Sequence, residues 1–192
     1  MSQLTLLLQI IGSRMKAQEF FFLLKDKKRV IRHGYYDAEA NVILALCNEL
    51  HLNMVKSTFA VELAEDGFAN KGLKGEKGMC FYYISKDPNL AVDAKEAEEQ
   101  NDHKRLGELL DYPSCCIRYF LNAFSDENTN PQLAPTRWET NLIKRVDDCC
   151  LLSHFPCSND CKHSIALAQN FFDSIEFDNT NWAKELKTEL SR

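Results

Sequence analysis

Apolar residues recur at intervals of three and four along much of the chain, which is the spacing that places them on one face of a helix. Near the N terminus this spacing predicts helices over residues 2–14 and 16–25. The second contains a continuous apolar run, Phe20–Leu24, for which a strand is the alternative. A third helix is predicted to begin at Asp37, and Cys47 beside its apolar stripe is predicted to be a core residue. The stripe consists of Val42, Leu46 and Leu50.

The middle of the chain changes to an alternating pattern that is rich in β-branched and aromatic residues. This pattern predicts strands over residues 54–64 and 79–85, joined in a small antiparallel hairpin near residues 54–85. The connection between them, residues 70–78, contains three glycines and three lysines and is predicted to be a solvated loop. A phosphate cradle is the alternative for this loop, but the glycine spacing matches neither the P-loop nor the dinucleotide fingerprint.

Helix-start signals dominate the C-terminal half. Asp87–Pro88 opens a charged stretch that extends to Arg105, in which two helices are predicted. The acidic residues within 96–99 are predicted to form a solvated helix face. Tyr112–Pro113 ends that region and opens a helix that reaches about Phe124.

Two more helices are predicted downstream. Thr136 and Glu139 form a capping box, and the helix that follows is predicted to reach about Leu152. Pro156 is predicted to open a long last helix, and the tail after Asp178 is expected to pack weakly. The predicted buried faces are Trp138, Leu142 and Val146 in the first helix, Ile165, Ala168, Phe172 and Ile175 in the second, and Trp182 and Leu186 in the tail. The predicted fold class is α+β, mostly helical, with a small antiparallel sheet and a helical C-terminal half.

Length and composition place the chain among globular proteins. Its 192 residues are predicted to form a single domain, residues 1–192, and 45% hydrophobic with 27% charged residues is ordinary for such a domain. A net charge of −5 argues against broad nucleic-acid binding, which depends on basic side chains. The first apolar run, Leu4–Ile11, is too short to cross a bilayer and lacks the features of a signal peptide. A soluble, cytoplasmic protein without a membrane partner is therefore expected, and the sequence identifies no other partner.

Eight cysteines are many for such a protein. Without a secretory signal, a disulfide framework is less favoured than metal binding, thiol chemistry or burial. Six of the eight lie within residues 115–161, and of these the adjacent pair Cys149–Cys150 extends a predicted helix stripe and is expected to pack in the core. Four histidines are predicted to be surface or capping residues: His33, His51, His103 and His163.

Two segments of this cysteine-rich region share a pattern. In each, a proline at a predicted first helical turn, Pro113 or Pro156, precedes thiols by one to three residues. The amides of a first turn are unpaired and the helix dipole is positive there, which favours the thiolate that binds metals or attacks electrophiles. We predict that these two helices meet at their N-terminal ends. At least one member of the Cys115–Cys116 pair would then lie near Cys157 and Cys161.

The first hypothesis from this pattern is a metal-binding protein. His154, Cys157 and Cys161 have the spacing H-x2-C-x3-C, and the two cysteines share a face of the predicted helix. With Cys115 or Cys116 as a fourth ligand, the set would resemble the three-sulfur, one-nitrogen sites that hold structural zinc. Three ligands with an open position would instead resemble a catalytic zinc or an iron–sulfur site. Zinc or an iron centre, including an iron–sulfur cluster, is the cofactor expected on this hypothesis.

Two alternatives remain open. In one, the protein is a thiol-dependent enzyme in which Cys115 is the nucleophile and His154 is the base. The side chains of Arg118 and Tyr119, one turn along the helix, would then bind an anionic substrate. In the other, the protein is an interaction domain whose cysteines only pack the core, as free cysteines often do.

The stretches Leu106–Phe120 and Ser153–Cys161 together resemble a family of prokaryotic proteins of unknown function. Members of that family pair a Gly-Tyr-Pro-x-Cys-Cys motif with a His-x-Pro-Cys-Ser-x-x-Cys motif. Asp111 stands where the family has its first glycine, a departure that affects the turn and not the thiols. The resemblance covers about residues 102–172, under half of the chain. It implies that the two motifs form one site, and it implies no activity.

Overall fold

The computed structural model describes residues 1–63, 69–75, 77–123 and 137–192, and for residues 62–63 and 69–74 it describes the backbone alone. The helices in these ranges are α1 (Gln3–Ile11), α2 (Arg14–Leu24), α3 (Asp37–Glu49), α4 (Pro88–Glu99), α5 (His103–Leu109), α6 (Ser114–Ala123), α7 (Lys162–Asp178) and α8 (Thr180–Leu190). The strands are β1 (Val30–Tyr35), β2 (Asn53–Leu63), β3 (Ala69–Gly75) and β4 (Met79–Ser85), and two 3-10 turns span Trp138–Thr140 and Ile143–Asp147. The predicted α+β class and helical C-terminal half are confirmed.

The four strands form one sheet in the order β1–β4–β2–β3, and all neighbouring strands are antiparallel. The strands predicted over residues 54–64 and 79–85 correspond to β2 and β4. The loop predicted over residues 70–78 is wrong for residues 70–75, which belong to β3 and pair with β2; residue 76 lies outside the described residues. The pattern also fails to predict β1, because its sequence, Val-Ile-Arg-His-Gly-Tyr, interrupts the apolar alternation with polar residues and a glycine.

Strand β4 lies between β1 and β2 and buries both of its faces. Tyr82 and Ile84 belong to a large apolar cluster that includes residues of α1, α2, α3, α7 and α8. Phe81 and Tyr83 belong to a second cluster with residues of α4 and α5. The sheet therefore separates two groups of helices, as expected for an antiparallel sheet covered on both sides. Among the described helices, none combines the length and the apolar character needed to cross a membrane.

The two N-terminal helices are confirmed, and a serine caps the N terminus of each. The hydroxyl oxygens of Ser2 and Ser13 accept hydrogen bonds from backbone amides three residues later, which satisfies donors that have no partner inside a helix. The run Phe20–Leu24 belongs to α2 and does not form a strand. It is apolar on several sides because the helix packs in the core, where Phe22 stacks on Phe171 with ring centroids 4.1 Å apart.

Helix α3 begins at Asp37 as predicted, but its buried face differs from the predicted stripe. Val42 is 49% exposed, so the stripe through it is wrong. The buried residues are Ala40, Ile43, Leu46 and Cys47. This face contacts β1, β2 and α1, and its position is set by those neighbours. Cys47 is fully buried, which confirms it as a core residue, and burial raises the pKa of its thiol to about 12.

The predicted helix starts at Asp87–Pro88 and Tyr112–Pro113 are confirmed. The first opens α4, with Asp87 as the N-cap and proline in the first turn. The charged stretch contains two helices, α4 and α5, as predicted. The second start opens α6, and Phe124 at its predicted end lies outside the described residues.

The prediction that the acidic residues within 96–99 face solvent is wrong for Glu98. Its residue exposure is 4%, and its carboxylate accepts hydrogen bonds from Arg32 and, at 2.7 Å, from the hydroxyl of Tyr83. Burial acts to lower the pKa of Arg32, but the adjacent Glu98 carboxylate outweighs burial and raises that pKa. A carboxylate can occupy this buried position because it is paired with a cation and accepts hydrogen bonds.

A second buried polar group joins α2 to β1. Glu19 forms an ion pair with Lys28 and lies 2.7 Å from Nε2 of His33, so the expectation that His33 is a surface or capping residue is wrong. Nδ1 of His33 is 3.0 Å from the hydroxyl of Tyr35. Burial acts to raise the pKa of Glu19, but Lys28 and then His33 outweigh it and hold that pKa well below its usual range. Lys28 also donates to the hydroxyl of Ser153 at 2.8 Å, which ties this network to the second cysteine-containing segment.

The predicted helix that reaches Leu152 is wrong, because the chain forms the two 3-10 turns in its place. Val146, predicted to be buried, is 64% exposed. Asp148 adopts a left-handed conformation with φ of 55°, and its carboxylate accepts a hydrogen bond from the hydroxyl of Ser13 at 2.7 Å. Asp148 therefore interacts with the N terminus of α2 and ends the turn. Thr136, the predicted cap of this helix, lies outside the described residues.

The last long helix begins later than predicted. Helix α7 has Cys161 as its N-cap, and the residues between Pro156 and Cys161 form neither helix nor strand. The prediction of a helix from Pro156 is therefore wrong. The tail after Asp178 forms α8, in which Trp182 is 8% exposed and Leu186 is fully buried. This tail is part of the core, so the expectation of weak packing is also wrong.

Candidate metal centre

Four cysteine sulfurs lie within 4.8 Å of one another in the described part of the chain. We call this group the four-cysteine cluster; it consists of Cys115, Cys116, Cys157 and Cys161. The Sγ atom of Cys161 is 3.7 Å from that of Cys115 and 3.6 Å from that of Cys116. The sulfurs of Cys115 and Cys116 are 3.8 Å apart. The predicted approach of the two cysteine-containing segments is therefore confirmed.

Two helix N-termini supply three of the four sulfurs. Cys115 and Cys116 lie in the first turn of α6, where the amide of Cys116 donates to the carbonyl of Pro113 at 2.9 Å. Cys161 is the N-cap of α7, and Cys157 lies in the irregular segment before it. The positive ends of two helix dipoles are thus located at the cluster, and they favour negatively charged sulfur.

The spacing of the sulfurs suits a single metal ion. Thiolates bound to one tetrahedral zinc lie roughly 4 Å apart, because each zinc–sulfur bond is about 2.3 Å long. In a four-iron cluster each cysteine binds a different iron, which spreads the cysteine sulfurs farther apart. The three distances of 3.6, 3.7 and 3.8 Å agree with the single-ion arrangement.

The cluster has a buried side and an open side. Cys116 and Cys161 are 2% and 6% exposed, whereas Cys115 and Cys157 are partly exposed. Burial raises the pKa of Cys116, and burial together with neighbouring thiols raises that of Cys157 to about 11. Burial also acts against ionisation of Cys161, but hydrogen bonds from Ser164 and from the neighbouring thiols outweigh it and lower the pKa to about 6.

His154 was a predicted ligand, and the structure places it behind the sulfurs and outside the cluster. It is 5% exposed, and its Nε2 atom is 2.9 Å from the hydroxyl oxygen of Ser164. That oxygen is also 3.2 Å from the sulfur of Cys116. Burial, and then the charge of Lys28, lowers the pKa of His154 to about 3, so its ring is neutral near neutral pH. Ser164 carries only a weak sequence signal, its position three residues after Cys161.

Aromatic contacts hold the second segment against α6. The rings of Phe120 and Phe155 stack with centroids 5.8 Å apart and planes 3° from parallel. The Tyr112 ring lies 5.1 Å from the His154 ring, and the Tyr112 hydroxyl donates to the carbonyl of Ser153 at 3.2 Å. These contacts hold the backbone of the residues just before Cys157 in place.

The other cysteines pack in the core or lie on β4. Cys149 and Cys150 are 1% and 4% exposed, which confirms that they are packed, although they do not lie on a helix. The thiol of Cys150 is 3.4 Å from the sulfur of Met15, and burial raises its pKa to about 11. Cys80 belongs to β4, and all eight cysteines are free of disulfide bonds.

Comparison with protein families gives one match. A family model described as a protein of unknown function, DUF483, matches residues 84–191. This span is more than half of the chain and contains the whole four-cysteine cluster. The chain belongs to the DUF483 family. The expectation of a family of unknown function is thereby confirmed, and the DUF483 span is longer than the predicted 102–172. Comparisons with curated proteins and with solved structures give no match.

Within the DUF483 region, the backbone accounts for the departure at Asp111 from the expected glycine. Asp111 has a φ of 61°, in the left-handed region that favours glycine, and aspartate is one of the few other residues that adopts it readily. Its carboxylate accepts hydrogen bonds from the backbone amide and from Nε of Arg29, at 2.8 and 2.6 Å. The turn before α6 therefore forms without glycine and gains a contact with the segment that precedes β1.

Proposed function

We propose that the protein binds one zinc ion through the four thiolates of the four-cysteine cluster. The observation that supports this most directly is the convergence of four sulfurs from two distant segments at the spacing of a tetrahedral site. Four protein ligands leave no open position on the ion, which is the arrangement of structural rather than catalytic zinc. A single iron ion prefers a similar shell, so the metal's identity is an outcome of the test.

The surroundings of the cluster are suited to its charge. A zinc ion with four thiolates carries a net charge of about −2, which is costly to bury without compensation. The N-termini of α6 and α7 supply positive dipole ends at the sulfurs. The backbone amide of Cys157 and the hydroxyl of Ser164 form hydrogen bonds with the sulfur of Cys116, which is the most buried of the four.

The two alternatives have less support. A thiol-dependent enzyme requires His154 to act as a base for Cys115, but Nε2 of His154 is engaged with Ser164. Cysteines that served only to pack the core would be buried, yet Cys115 and Cys157 are partly exposed while their sulfurs remain within the cluster.

Two broader proposals accompany this function. The larger apolar cluster contains residues from Leu4 to Leu190, which supports a single domain over residues 1–192. Free thiols that bind a metal remain reduced most readily in a reducing compartment, which supports a cytoplasmic location.

Elemental analysis of the untagged protein, purified both in air and without oxygen, tests the zinc proposal. We expect about one zinc per chain, no acid-labile sulfide and no visible colour. Stoichiometric iron without sulfide would show that the ion held by the four sulfurs is iron and not zinc. Iron with sulfide would instead show a cluster, and it would contradict the single-ion site.

Single serine substitutions identify the ligands. Cys115→Ser, Cys116→Ser, Cys157→Ser and Cys161→Ser should each lower the metal content or affinity. The control is Cys80→Ser, because Cys80 lies on β4 and outside the cluster. If the four variants retain full metal content, or if wild-type protein binds no metal even after reduction and reloading, the proposal is wrong.

A further inference from the structure

A chain of hydrogen-bonding groups leads from the interior to the buried side of the four-cysteine cluster. Nε2 of His154 is 2.9 Å from Oγ of Ser164, and that oxygen is 3.2 Å from the sulfur of Cys116. Ser164 is fully buried and His154 is 5% exposed, so water does not compete freely with these contacts.

A bound ion would decide which group donates and which accepts in each of these hydrogen bonds. A metal-bound thiolate can only accept a hydrogen bond, so the Ser164 hydroxyl must donate its one proton to sulfur. The Ser164 oxygen then has only lone pairs for His154, and Nε2 of His154 must carry the proton and donate it. In a metal-free cluster with neutral thiols either direction satisfies the same distances, because each thiol is also a donor.

We propose that Ser164 and His154 are positioning residues that orient a two-step hydrogen-bond relay onto Cys116 and set the metal affinity of the cluster. The relay runs from the His154 Nε2–H to the Ser164 oxygen, and from the Ser164 hydroxyl to the Cys116 sulfur. This inference rests on the proposed function, since it concerns the same four-sulfur site. In this proposal, His154 does not coordinate the metal; it helps to orient the ligand Cys116.

The relay is expected to stabilise the metal-bound form of the four-cysteine cluster more than the metal-free form. Donors aimed at a thiolate lower its charge density and hold its side chain in one orientation, which favours metal binding. The partly exposed Cys115 and Cys157 can obtain donors from water, whereas Cys116 is 2% exposed and depends on the protein. The effect of the relay is therefore expected to concentrate on the buried side of the cluster.

Cobalt substitution tests the relay, because the sulfur-to-cobalt charge-transfer absorption responds to hydrogen bonds on the sulfurs. In Ser164→Ala we expect this absorption to move to lower energy, and zinc affinity measured by chelator competition to fall by about 10- to 100-fold. Ser174→Ala is the matched control, since Ser174 lies on the same helix, is partly exposed and donates a hydrogen bond to the carbonyl of Asn170. Its absorption and affinity should equal those of wild type.

Variants of His154 test the second step of the relay. His154→Gln retains an N–H donor near the position of Nε2 and should preserve most of the affinity, whereas His154→Leu should lose it. In the double variant His154→Leu with Ser164→Ala, the loss should be close to that of Ser164→Ala alone, because the two residues act in series. Independent losses that multiply would overturn the relay.

The tautomer of His154 provides a measurement that needs no substitution. Nitrogen-15 NMR of the zinc-loaded wild-type protein should show a neutral ring with its proton on Nε2, and this result decides the matter if Ser164→Ala fails to fold. A proton on Nδ1, or a cobalt spectrum of Ser164→Ala equal to that of Ser174→Ala, would overturn the relay and leave the zinc site intact. Failure of wild type to bind either metal would overturn both proposals.

Discussion

The coordination shell of the zinc-loaded protein is predicted to contain four sulfur atoms and no nitrogen atom. The sulfur–sulfur distances of 3.6, 3.7 and 3.8 Å join Cys115, Cys116 and Cys161, and the sulfur of Cys157 lies within 4.8 Å of these three. The edge of a regular tetrahedron is about 1.63 times its centre-to-corner distance, so three sulfurs at this spacing match one face of a tetrahedron whose centre is about 2.3 Å from each of them, the normal zinc–sulfur bond length. The spacing of these sulfurs therefore needs little rearrangement to accept the ion.

X-ray absorption at the zinc edge measures this shell directly in three proteins. Wild type and His154→Gln should both show four sulfurs at ~2.3 Å, because His154 lies outside the cluster. Cys157→Ser should lose one sulfur and gain a lighter atom at ~2.0–2.2 Å.

Two results would refute the geometric reasoning. A nitrogen at ~2.0–2.1 Å in wild type that disappears in His154→Gln would place His154 on the metal, as the spacing of the second motif suggested. Metal–metal scattering would show more than one ion in the site, which four sulfurs within 4.8 Å of one another do not predict.

Two further predictions concern stability. Glu19→Gln should lower the free energy of unfolding, measured in urea near neutral pH, by about 3–5 kcal/mol, because it leaves Lys28 buried without its carboxylate partner. The control is Glu189→Gln, which should lower it by at most about 1 kcal/mol because the Glu189 side chain is 40% exposed. The pKa of Glu19 is lower in the folded protein than in the unfolded chain, where it is about 4.3, so the contribution of Glu19 to stability is present above this pH and is lost as pH falls below it. The free energy of unfolding of wild type should therefore decrease more steeply than that of Glu19→Gln between about pH 5 and 3. Equal pH dependence of the two proteins would contradict this. Asp111→Gly should be more stable than Asp111→Ala by about 1–2 kcal/mol in the same assay, because glycine adopts the left-handed conformation without the strain that alanine has there. Equal stability of the two Asp111 variants would show that the turn changes shape.

The location of the candidate site was predictable because its signals are local. Pro113 and the adjacent Cys115–Cys116 pair mark a helix start by residue type alone, and the second motif shows the same proline–thiol order. The meeting of the two segments followed from the need of both apolar faces to reach the core. The position of His154 could not be predicted, because its Nε2 contacts Ser164 and not the metal site. The spacing of the motif does not distinguish a metal ligand from a residue that contacts a ligand through a hydrogen-bonded neighbour.

Errors in the fold arise where distant residues decide local structure. The helix predicted to reach Leu152 competes with the interaction of Asp148 at the N terminus of α2, about 130 residues earlier in the chain. Glu98 looks like a solvated residue until Arg32 and Tyr83 are brought to it by the sheet. In both cases hydrogen-bonding partners from distant parts of the chain outweigh the periodicity of the sequence.

The two halves of the four-cysteine cluster are far apart in the sequence, and this separation bears on the unfolded chain. The proposed ion would join Cys116 to Cys157 and so close a loop of about 40 residues, much as a disulfide would. Restricting the denatured ensemble in this way is worth roughly 4 kcal/mol in the chain-entropy model, comparable to a large part of the stability of a small domain. In the described part of this loop that follows α6, residues 137–156, the regular structure consists of two short 3-10 turns. The ion would thus act as a cross-link that restrains these residues, which little regular secondary structure holds in place.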